Sequence, residues 1–190
     1  MQKGLLFLSA LMLLTMSSCE KASSSSSEQP QDGIVLQYEE NQFDAGYGEC
    51  IKRYFEALEQ SDFAGYQNTV YPPYQTVYAD FLESKGSDLN TTFQNMKKQF
   101  DEDGYESWTF TKLELSYCAT EDVENFFETW ISAGIFDEAF ANDCKEDAVE
   151  IRDVQFTLYA QYEGDDYTVP VVQNGEMIML KTDEGYYLIG

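Results

Sequence analysis

Val154, Phe156, Leu158, Ala160 and Tyr162 alternate strictly with Gln155, Thr157, Tyr159 and Gln161. A period of two places one set of side chains on one face of a strand, so this segment predicts a long strand with one buried face. Such a face has to be covered by a second layer, and it also needs partner strands. The sequence offers both. Asn174-Gly175 lies between Val169–Val172 and Met177–Lys181 and predicts a two-residue hairpin turn. Asp183-Glu184-Gly185 then leads into Tyr186-Tyr187-Leu188-Ile189, a second hairpin. Trp108 to Tyr117 also alternates, but its apolar set changes face, from Trp108 and Phe110 to Leu113, Leu115 and Tyr117. A β-bulge near Thr111 or Lys112, or burial on both faces, would account for the slip.

The cover is helical. Tyr47, Ile51, Tyr54, Phe55 and Leu58 recur at helical spacing and predict a helix over 44–60. Ser61 or Asp62 can cap a short helix over 63–69. Tyr71-Pro72-Pro73-Tyr74 breaks that helix, and Pro73 suits the start of the next, which runs to about Lys85. Asp88 caps a fourth helix that turns Leu89, Phe93, Met96 and Phe100 inward, and Asp101-Glu102-Asp103-Gly104 closes it. Val123, Phe126, Phe127, Trp130 and Ile131 predict one helix, over 121–135, inserted between two strands. Helices followed by an antiparallel meander make an α+β domain, assigned here to residues 37–190.

The first helix ending at Leu58, the helix start at Asp62-Phe63, the Tyr71-Pro72-Pro73-Tyr74 step and the closing run from Asn174-Gly175 to Ile189 together resemble the NTF2-like (cystatin-like) superfamily. That resemblance implies a cone of N-terminal helices packed on a curved antiparallel sheet. It also implies a domain that binds a ligand or partner, or an isomerase-type enzyme that sets an Asp or Glu against a Tyr inside an apolar cone.

The amino terminus carries a different signal. Lys3, an apolar run from Leu5 to Met16 and then Ser17-Ser18-Cys19 follow the order of a secretory signal peptide over 1–18. The run is too short to span a bilayer, which takes about 20 residues. Met16-Ser17-Ser18-Cys19 resembles the lipobox of bacterial lipoproteins, which implies acylation of Cys19 and an address on the extracytoplasmic face of the cell membrane. The serine run Ser23–Ser27 and the polar residues after it suit a flexible tether, assigned to 19–36, that reaches about 20 Å.

Composition narrows the chemistry. There is no histidine, so Ser-His-Asp and Cys-His nucleophiles and His-ligated zinc are excluded. A net charge of −24, from 11 basic and 35 acidic residues, repels nucleic acid. No cofactor is implied. The acid-rich segments 101–104 and 163–166 lack the ligand order of a calcium loop, and the reading assigns no metal. Lys112 and Glu114 lie on the ambiguous strand and are expected to face solvent. Export permits disulfides, and Cys118 with Cys144, which flank one helical segment, is the pairing considered; three unpaired thiols, with Cys50, is the alternative. Such a bridge would contribute roughly 3–4 kcal/mol. Tyr71, Tyr74 and Trp108 are the candidate binding aromatics, the two tyrosines because the double proline should leave them exposed. The sequence thus predicts a lipid-anchored domain that is not an enzyme. Its expected partner is an unidentified protein or a small apolar ligand, or a second copy of itself meeting it through the open sheet face.

Overall fold

The computed structural model describes residues 33–39, 43–101, 107–120 and 122–190. Cys19, the signal segment, the tether up to residue 32 and residues 102–104 lie outside them. The described residues form a mixed α+β fold around one five-stranded sheet in the order β1-β2-β3-β4-β5. The strands are β1 (Val35–Gln37), β2 (Trp108–Ala119), β3 (Glu150–Tyr162), β4 (Val169–Lys181) and β5 (Tyr186–Ile189). β1 runs parallel to β2, and the remaining pairs are antiparallel. A single bridge from Val70 to Leu188 extends the β5 edge.

Helix α1 (Ala45–Gln60) begins where the sequence places it, with the Asp44 carboxylate accepting from the Gly46 amide at 3.0 Å. Its apolar stripe is buried against the sheet, and α1 contacts β1, β2 and β5. Helix α2 (Phe63–Gln67) is capped by Asp62 and α4 (Leu89–Lys98) by Asp88, as their sequences predict. Helix α3 (Pro72–Ser84) starts one residue earlier than expected, on Pro72. Proline has no amide hydrogen to lose in a first turn, so either proline serves.

The predicted bulge is present at Thr111, where Phe110 and Lys112 oppose consecutive residues of β3. It returns Leu113 and Leu115 to the face that carries Phe110, and all three are buried. A second irregularity follows at Ser116.

Three expectations change. Asn174-Gly175 is not a hairpin turn, because β4 runs through it: Gly175 opposes Phe156 and Val172 opposes Leu158. Asn174 takes the left-handed φ of 52° that the dipeptide favours, but it spends it on a bulge. The β3–β4 turn lies instead at Glu163-Gly164, where Gly164 has φ 92°. The stretch between β2 and β3 holds a second helix: α5 (Val123–Ser132) falls within the expected 121–135, and α6 (Glu138–Asp147), which was not expected, follows it beyond Gly134 with φ 70°. Finally, part of the expected tether belongs to the fold, since Ile34 is buried and β1 starts at Val35.

Candidate functional site

The space between α1 and the sheet is filled by the chain itself. Phe55 of α1 sets its ring 5.6 Å from Phe110 and 5.4 Å from Phe156. Those three rings, with Ile51, Leu58, Leu113 and Leu158, are all at or below 1 % exposure. Gly175 is part of this packing, because a Cβ there would lie 2.5 Å from Cζ of Phe156.

The acids that border this interior are engaged. Glu59 accepts from the Phe110 amide at 2.7 Å, and burial raises its carboxyl above the usual range. Glu150 accepts from Arg152 and from the Tyr47 hydroxyl, which together lower its pKa. Beside it, Asp44 accepts from Lys181 Nζ at 2.8 Å and from the Tyr186 hydroxyl at 2.6 Å, and its pKa falls to about 2. Glu150, Lys181 and Tyr186 are register partners across three strands, so this network ties the strand ends to the start of α1.

Concave apolar surface is found on the outside. An open groove runs between the C-terminal half of α3 and the α5–α6 turn, with Val77, Phe81, Ile131, Ile135 and Phe136 along it and Asp80, Asp137 and Glu138 at its rim. Beneath it lies an aromatic bed. Tyr74 stacks on Tyr78 at 5.3 Å, Tyr78 on Phe81 at 6.1 Å, and Trp130 on Phe136 at 6.1 Å. Spacings of four and three residues put Tyr74, Tyr78 and Phe81 in one row of α3.

The aromatics singled out in the sequence separate. Tyr71 and Tyr74 are buried, at 5 % and 2 %, against the expectation that they would be exposed. The double proline is not a loose step, because the Tyr71 amide donates to Leu188 O at 2.9 Å and the Val70–Leu188 bridge pins the segment to β5. The Tyr71 hydroxyl reaches Asp147 at 2.8 Å, whereas that of Tyr74 meets no partner among the described residues. Trp108 lies apart, half-buried between Phe100 and Phe110, with its indole N–H on Asp101 at 3.0 Å; it lines a second cleft at the β2–β3 end of the sheet.

Lys112 and Glu114 pair at 3.1 Å on the half-exposed face, with Tyr159 donating to Glu114 at 3.2 Å. Cys118 and Cys144 are not bridged but are free thiols, as is Cys50. Cys118 stands in the Val154 row of β2, close enough to act on Tyr47 of α1, whereas Cys144 is buried in α6 beside Tyr71. Among the described residues, no group of three acids or cysteines could hold a metal ion, and no helix is long and apolar enough to cross a membrane.

Two features escape sequence reasoning. Phe136, in the α5–α6 turn, and Phe140, on α6, reach the aromatic bed, and the Asp137 cap on the Phe140 amide was the available signal. Asp153, on the polar phase of the β3 alternation, is nevertheless 1 % exposed. The chain matches no family model, no curated protein and no solved structure.

Proposed function

We propose that this is a lipid-anchored protein of the extracytoplasmic membrane face, held through Cys19, whose NTF2-like domain binds a partner polypeptide and catalyses no reaction. The order of α1 to α4 before an antiparallel β2–β3–β4–β5 run, with α1 laid on the sheet, supports the NTF2-like reading. The parallel β1 and the α5–α6 insertion depart from it.

The observation that carries the binding role is the filled interior. Phe55, Phe110 and Phe156 occupy the place where a cone would take a small apolar ligand. An isomerase-type reaction needs a free acid there, and Glu59 and Glu150 are already hydrogen-bonded. An apolar concavity on the outside of the described residues is the α3/α5–α6 groove. Its rim is acidic, and the whole chain carries a charge of −24. That combination suits a basic segment with one apolar face, laid in the groove like a helix in a hydrophobic trough.

The test is a fluorescence-anisotropy titration with a labelled amphipathic peptide of Lys and Leu. Binding should weaken at least tenfold in Phe81→Ser and in the double variant Asp80→Asn/Glu138→Gln. It should hold in Glu114→Gln, which removes one charge from the sheet face. Equal weakening in all three would mean general attraction to an acidic protein and would end the groove reading.

A further inference from the structure

Among the described residues, Asp153 is an ionisable side chain almost shut off from solvent and without a hydrogen bond. It is 1 % exposed, and neither carboxylate oxygen meets a donor among the described residues. Register explains why. Asp153 stands opposite Ala119 of β2 and Ile178 of β4, and Ile178 stands opposite Ile189 of β5. These row-mates share one face of the sheet and are buried at 4 %, 8 % and 2 %. Helix α5 packs against β3, and Asp122, the residue that precedes α5, acts on the Asp153 carboxyl. The other charge acting on it is Glu176 of β4, which is also an acid. Arg152, next in the chain, is turned to Glu150. Cys118 of β2 is the nearby thiol, and burial raises its pKa. An ionised carboxylate placed between two apolar strands and facing two further carboxylates destabilises whatever closes over it.

We infer that Asp153 is a protonation-controlled fastener: the α5–α6 layer closes firmly on the sheet while the carboxyl is neutral and loosens when it ionises. Burial, then Glu176 and Asp122, raise the carboxyl from 3.8 to about 6. The closed form therefore holds a proton that the opened form releases. Closure is strongest below about pH 4, weakens as the pH rises toward 6, and levels off above that, when both forms are ionised. The full displacement corresponds to roughly a hundredfold in the opening equilibrium. None of this depends on what the groove binds.

Amide hydrogen exchange of the protein, corrected for intrinsic rates, tests the inference. Between pH 4 and 7.5 the opening of α5 and α6 should rise on the order of fiftyfold. Asp153→Asn should flatten that rise, and α2 and α4, which pack on α1, should not follow it. A pH-independent α5–α6 layer in the natural chain, or the same rise in Asp153→Asn, would overturn the fastener. Should Asp153→Asn not fold, carbon-detected NMR titration of Asp153 in the natural chain decides instead. A midpoint near 6 that falls in Glu176→Gln upholds the inference, and a midpoint at or below 4 ends it.

Discussion

At the scale of single residues, the side chains that matter most are polar groups whose partners the fold did or did not supply. The Tyr74 hydroxyl is buried beside Trp130 and Phe140 and has no partner among the described residues. An orphaned buried donor costs about 1–3 kcal/mol, and removing it keeps the ring packing. Tyr74→Phe should therefore raise stability by about 1 kcal/mol in urea unfolding, whereas Tyr71→Phe, which breaks a bond to Asp147, should lower it. Asp44 is the opposite case. It caps α1 and accepts from Lys181 and Tyr186, so its folded pKa, about 2, lies below the ordinary 3.8. Its contribution is present above about pH 4 and is lost as the pH falls toward 2. Asp44→Ala should cost about 1 kcal/mol at pH 7 through the lost cap, and the difference should shrink in acid titrations followed by circular dichroism. Sequence alone named Asp44 as a helix start and Tyr74 as an aromatic of interest. It could not show where either hydroxyl or carboxylate would end, because that is decided by residues distant in the chain, Trp130 and Phe140 for Tyr74 and Lys181 and Tyr186 for Asp44.

At the scale of elements, local chemistry proved legible and its use did not. Asn174-Gly175 offers a left-handed residue followed by one without a Cβ, and both properties are used, yet in a bulge inside β4. The choice was made by Phe156, whose ring occupies the space next to Gly175. Gly175→Ala should thus cost about 1–3 kcal/mol by overpacking, measured against Gly134→Ala, where nothing lies within 4 Å and only the left-handed φ opposes the change. A loss at Gly175 no larger than that at Gly134 would mean that the Phe156 ring yields and does not set the requirement. Capping residues gave α1, α2 and α4 almost to the residue, since Asp44, Asp62 and Asp88 act within their own first turns. Helix α6 was missed although Asp137 caps it in the same way, because few apolar side chains of Glu138–Asp147 turn inward and the apolar period is faint. The groove was illegible for the same reason: half of it hangs from the α5–α6 turn.

For the whole molecule, charge and anchoring have to be argued together. A chain of −24 is pushed away from anionic headgroups, so it lacks the basic patch that commonly assists a single acyl chain. One chain alone gives only marginal, reversible binding, and stable anchoring takes two signals. If Cys19 is the anchor, as proposed, its lipid must carry at least two acyl chains and must do the work unaided. The protein should then stay with membranes through high-salt and carbonate washes, because no ionic contact contributes. Cys19→Ser should move it wholly to the soluble fraction, and the mass of its amino-terminal peptide should show two or more acyl groups only when Cys19 is present. Retention of Cys19→Ser on washed membranes would place the attachment elsewhere in the chain. Release of the natural protein by salt would point to a bound partner instead of a lipid. If the anchor is as proposed, the same repulsion would hold the acidic domain off the surface and leave the α3/α5–α6 groove open to a basic partner arriving from the aqueous side.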